Sequence, residues 1–115
     1  MASKPTAVLA AACALISGGS AGAHDAVRGW PYPPACCKGD DLGGDCERIP
    51  GASVKTGPSG FSVTLLPGDH HLVTRQHLFQ IPYRDALPSG DHDFHICLHP
   101  SEEYMNCFFA PPDSI

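Results

Sequence analysis

The longest apolar stretch of the chain runs from Thr6 to Ile16 without a charged residue, behind a single lysine, Lys4. It has about 11 residues, whereas a bilayer-spanning helix needs about 20. The run dissolves into Ser17-Gly18-Gly19-Ser20 and is followed by Ala21-Gly22-Ala23, the small-residue pattern read by a signal peptidase. This layout predicts an export signal over residues 1–23, with cleavage before His24. Cys13 then leaves with the signal. The competing reading is a lipoprotein acylated on Cys13, but Ala10 stands where a leucine is usual and only 12 residues precede the cysteine. No paired arginines precede the apolar run, so export of an already folded protein has no support.

Residues 24–35 carry three prolines, which fix φ and remove backbone donors, so this stretch is expected to be extended. Trp30 and Tyr32 lie in it, and rings of this kind most simply cover an edge of the core rather than form a binding platform. Residues 38–45 are rich in glycine and aspartate and read as a turn-forming loop; the spaced ligands of a calcium-binding EF-hand are missing from it. From residue 50 onward, short runs with β-branched and aromatic residues alternate with Gly and Pro pairs. Ser53–Thr56 and Phe61–Leu65 flank Gly57-Pro58-Ser59-Gly60, a hairpin pattern. His71 to Ile81 is one strand, or a strand followed by a helical turn around Arg75 to Phe79, and Pro82 ends it. Asp85 to Gly90 reads as a loop, and the last strands are expected at Asp93–Leu98 and Asn106–Ala110. In the first of these, Phe94, Ile96 and Leu98 would face the core, with Asp93, His95, Cys97 and His99 on a polar opposite face. The expectation is a small all-β fold, mainly antiparallel and stapled by disulfides. Residues 24–115 form a single domain in which a Pro/Cys-rich segment, 24–50, packs on a sheet formed by 51–115.

Without the signal, 92 residues remain, marginal for a core built from apolar burial alone. They hold six Lys or Arg against 12 Asp or Glu, a formal charge of −6, which argues against nucleic acid as a partner because phosphate binding needs basic side chains. Five cysteines remain: Cys36, Cys37, Cys46, Cys97 and Cys107. An oxidising compartment makes disulfides their default use, so two bridges and one residual thiol are expected, with 15 arrangements open. Adjacent Cys36 and Cys37 should take different partners. A bridge from this pair to Cys97 or Cys107 would restrict the unfolded chain most, and a shorter Cys37–Cys46 bridge is a natural companion.

Candidate chemistry is sparse. The chain has no Cys-x-x-Cys, which removes both thiol exchange and paired-cysteine zinc sites, and no Gly-x-Ser-x-Gly elbow. The carboxylate pairs Asp40/Asp41 and Glu102/Glu103 fall in expected loops, where solvated turns explain them better than acid-base catalysis. Seven histidines are present, with His92, His95 and His99 near Cys97. Imidazoles suit copper or zinc, and His24 or the His70/His71 pair would complete such a site. The competing reading is that these histidines are exposed on a polar sheet face and bind no cofactor.

The tract Trp30-Pro31-Tyr32-Pro33-Pro34-Ala35-Cys36-Cys37, then Asp45-Cys46, His95-Ile96-Cys97 and Cys107-Phe108-Phe109-Ala110-Pro111-Pro112, resembles a family of small exported bacterial proteins of unknown function. Pro31 interrupts the Trp-Tyr pair of that family, and the stretch from Cys37 to Cys46 is longer than in it. The resemblance implies a periplasmic setting and assigns no activity. Taken together, these features predict a periplasmic or secreted, non-enzymatic domain that binds a protein or envelope component. It has no membrane span after cleavage; the alternative is a copper- or zinc-binding protein.

Overall fold

The computed structural model describes residue 26 and residues 29–37 and 44–114. The export signal, its cleavage point, Cys13, His24 and the Asp40/Asp41 pair lie outside the described residues. The fold is all-β. Its strands are β1 (Cys46–Ile49), β2 (Val54–Thr56), β3 (Gly60–Leu65), β4 (His77–Pro82), β5 (Ala86–Pro88), β6 (Phe94–Leu98) and β7 (Met105–Ala110). They make a four-stranded sheet in the order β1-β6-β7-β5 and a three-stranded sheet in the order β2-β3-β4. All pairings are antiparallel except β5 with β7.

Alternation along β3 builds the space between the sheets. Phe61, Val63 and Leu65 are buried while Ser62 and Thr64 point away, as a period of two requires. They meet Ile81 of β4, Ile49 of β1, Ile96 and Leu98 of β6, and Phe108 and Ala110 of β7 in one apolar core. The β2–β3 turn closes with the Gly57 amide donating to the Gly60 carbonyl at 2.8 Å. At Gly60 a side chain would collide with the Ile81 carbonyl, so this position accepts only glycine.

The second core lies on the other face of the four-stranded sheet. Tyr32, Cys36 and Cys37 pack there against Cys46, Cys97 and Phe109, with Trp30 and Cys107 at the margin. Strand β6 is therefore buried on both faces. The expectation of a polar face through His95 and Cys97 is overturned: both are fully buried, because the Pro-rich segment covers them.

The cysteines explain the covering. Cys46, Cys97 and Cys107 lie in one row across β1, β6 and β7. Cys46 bonds to Cys97, and Cys107 bonds to Cys36. The link from the Cys36/Cys37 pair to the last strand is thus present, whereas the Cys37–Cys46 companion is not; Cys46 is already committed across the strand pair. Cys37 is buried and takes part in neither bridge. Asn106 adds to the staple by donating from its amide to the Ala35 and Cys36 carbonyls at 3.2 and 2.9 Å.

Three elements differ from the sequence expectation. Residues 46–49, assigned to the Pro/Cys-rich segment, form β1 within the sheet. Residues 71–76 are irregular, because Glu102 captures the Thr74 amide and hydroxyl at 2.7 and 2.6 Å and holds that backbone away from a ladder. Residues 86–88, read as loop, form β5, which pairs parallel with the distant β7.

Candidate functional site

Two constellations of polar side chains stand out, and they differ in kind. The first lies beneath the Pro-rich segment. Tyr32 hydroxyl and His95 Nδ1 are 2.8 Å apart, and His95 Nε2 is 2.9 Å from Asp91 Oδ1. Trp30 Nε1 donates to Asp91 Oδ2 at 3.1 Å, and the Asp93 amide donates to Asp91 Oδ1 at 3.0 Å. Burial pushes the Tyr32 phenol above its ordinary value, and the negative charge of Asp91 adds to this. A neutral phenol donates to Nδ1, which leaves the ring proton on Nε2 facing Asp91. Burial alone would raise Asp91, but the Asp93 amide, the His95 ring and the Trp30 indole outweigh it and hold the carboxyl at about 2. His95 is fully buried, and its neighbours are the edges of Trp30, Tyr32 and Phe109. At Gly90 a side chain would collide with the Trp30 ring, so the turn before β6 is shaped around the indole.

The second constellation is at the start of β1. His71 Nδ1 lies 2.6 Å from Glu47 Oε1, and the His71 amide donates to the same oxygen at 2.6 Å. His71 Nε2 faces the Gly44 carbonyl at 2.8 Å. His70 Nε2 faces the next carbonyl, that of Asp45, at 2.9 Å, and His70 Nδ1 accepts the Leu72 amide at 3.1 Å. The two rings are stacked, 4.8 Å apart and 11° from parallel. Burial pushes His70 below its ordinary value, helped by the neighbouring His71. The loop carrying them is fixed: Leu66 donates to Asp69 Oδ2 at 2.8 Å, and the Val73 amide returns to the His70 carbonyl at 3.0 Å.

The histidines singled out in the sequence are dispersed. His95 sits in the first constellation and His92 is exposed, while His99 places Nδ1 3.3 Å from Asp45 Oδ2. Among the described residues, the three side chains whose ligand atoms lie within 4.8 Å of one another are Glu47, His70 and His71. Sequence reading named His70/His71 only as a completing pair and gave Glu47 no role. Cys46-Glu47-Arg48-Ile49 carries no period-two alternation that would mark a strand, because Cys46 and Ile49 are buried in the cores on opposite faces of the sheet with the two polar residues between them.

Glu102 and Glu103 are engaged rather than simply solvated. Glu102 bonds Thr74 and, at 2.8 Å, His77 Nε2, while Glu103 pairs with Arg75. The Thr74 hydroxyl and amide, then the His77 ring, hold Glu102 at about 2. A cleft of about 350 Å³ opens at the β2–β3 turn, between Pro58-Ser59-Gly60 and the Gln80–Pro82 end of β4, with Arg84 at its rim. No helix among the described residues is long and apolar enough to cross a membrane. No family model, curated protein or solved structure matches the chain.

Proposed function

We propose that this chain is an exported, non-enzymatic domain of the bacterial envelope that binds an extended segment of another protein along β4. The observation that carries the reading is the open edge of the three-stranded sheet. β4 is its terminal strand, so one side of its backbone is unmatched by a ladder. Leu78 is 58% exposed on it, Gln80 is exposed too, and the cleft lies at the strand's end. An added strand would gain main-chain hydrogen bonds from β4 and place an alternate side chain beside Leu78. The acidic balance of the chain, a formal charge of −5, favours a partner segment bearing lysine or arginine.

Export and the periplasm are supported by the signal-like amino terminus, the two disulfides and the resemblance to small exported bacterial proteins. The absence of catalysis is supported by what the acid-base groups are doing. His95, Asp91 and Tyr32 are buried against one another and hold the Pro-rich segment in place. A photocrosslinking residue at Gln80, in protein exported by its host, tests the reading. Discrete adducts are expected, reduced at least about tenfold by Leu78→Lys, which blunts an edge strand. No adduct is expected from the same probe at Lys55 on the opposite edge. Adducts that ignore Leu78→Lys, or turnover by the purified protein in a hydrolase panel, would overturn it.

A further inference from the structure

We propose that Glu47, His70 and His71 form a binding site for a single borderline divalent metal ion, with zinc as the reference ion. One ligand atom of each lies within 4.8 Å of the others, and the three residue types are those that suit such ions.

The outer hydrogen bonds make this more than a proximity. Metal-bound histidines characteristically donate their remote ring N–H to a carbonyl or carboxylate, which fixes tautomer and orientation. Here both histidines direct Nε2 to consecutive carbonyls, His71 to Gly44 and His70 to Asp45. This leaves the two Nδ1 atoms, on neighbouring, stacked rings, as the prospective ligand atoms, and His70 Nδ1, which accepts the Leu72 amide, already presents its lone pair. His71 Nδ1 already meets a Glu47 oxygen at 2.6 Å, so a proton bridges the two groups that the metal would bridge instead. His70 Nδ1 gives up only the long contact to the Leu72 amide, 3.1 Å.

Metal–nitrogen bonds of about 2.0–2.1 Å place ligand atoms roughly 3.3 Å apart in a tetrahedron, so from separations of up to 4.8 Å the site must close by up to about 1.5 Å. The rings must also tilt out of their stack for the lone pairs to converge. His71 and Glu47 can supply that movement, because their side chains are 34% and 38% exposed, whereas His70 is locked in place. The same exposure leaves the remaining coordination position to water.

The test is titration of tag-free, exported protein with zinc chloride, followed by calorimetry and by competition with a chromogenic chelator. One equivalent is expected to bind, with magnesium unable to compete, since its demand for oxygen ligands differs. Glu47→Gln, nearly isosteric, and His71→Ala should each weaken binding by about tenfold or more. His24→Ala and His92→Ala should leave it unchanged. Failure to saturate below about 100 μM, a Kd weaker than about −5.5 kcal/mol of binding free energy, overturns the proposal. So does binding that survives both Glu47→Gln and His71→Ala, or that disappears with His24→Ala.

Discussion

Tyr32 and His95 fix each other's protons, and this pair is where the Pro-rich segment is read by the sheet. The phenol is buried, and among the described residues the partner of His95 Nδ1 is this hydroxyl at 2.8 Å. Tyr32→Phe keeps the ring and its packing against Trp30 and Phe109 but strands a buried ring nitrogen. An unsatisfied buried acceptor costs about 1–3 kcal/mol. Urea unfolding of the variant should therefore show an unfolding free energy lowered by that amount, through an earlier midpoint at unchanged slope. Trp30, the only tryptophan, supplies the fluorescence signal within the same network. A variant as stable as the parent would show that the hydroxyl contributes nothing to the seat. The partners of His95 were not legible in the sequence, because Tyr32 is 63 residues away and sequence alternation reports a face without saying what covers it.

At the scale of elements, legibility followed locality. Strands β2 and β3 and their turn were readable, since a Gly-Pro turn and alternating residues mark a hairpin from adjacent sequence. Strands β1 and β5 were not. β1 pairs with β6 nearly fifty residues on, in the register Cys46 to Cys97, and β5 pairs parallel with β7, so neither has a turn signal next to it. The disulfide that reaches farthest, Cys36–Cys107, spans a sequence separation of 71 and clamps the Pro-rich segment to the last strand. Loop closure of this length is worth about 4 kcal/mol in the chain-entropy picture. Replacing Cys36 and Cys107 together by serine should lower stability by about that amount and loosen residues 29–37 first. Limited proteolysis should then cut in this segment, and alkylation under native conditions should reach Cys37, which the parent protein buries. Mass mapping of the unreduced parent should return the Cys36–Cys107 and Cys46–Cys97 peptides. Retention of parental protease resistance in the double variant would mean that the aromatic seat holds the segment without the staple.

For the whole molecule, three titrating groups at separate places set how the fold meets acid. His70 is held below its ordinary value by burial, so the unfolded chain binds a proton that the folded chain refuses. Its contribution is complete above the unfolded value of about 6.5 and declines as pH falls below it. Asp91 and Glu102 are both held at about 2, the first at the seat of the Pro-rich segment, the second between the loop preceding β4 and the turn before β7. Their contribution is complete above the unfolded carboxylate values of about 4 and is lost as pH falls from there toward about 2. Stability measured by urea midpoint should therefore fall in two limbs, a first beginning near pH 6.5 and a second, steeper one below about pH 4. Asp91→Asn should lower the plateau and flatten only the second limb, and Glu102→Gln should do the same from an independent location, so the two effects should add. His70→Gln should remove the first limb and leave the second. A single limb confined to one of these ranges, or a second limb untouched by Asp91→Asn and Glu102→Gln together, would show that the acid response arises elsewhere in the chain. Because zinc at Glu47, His70 and His71 would keep the His70 ring of the folded protein unprotonated, saturating metal should raise the plateau and extend the first limb to lower pH, with its onset still at the unfolded value.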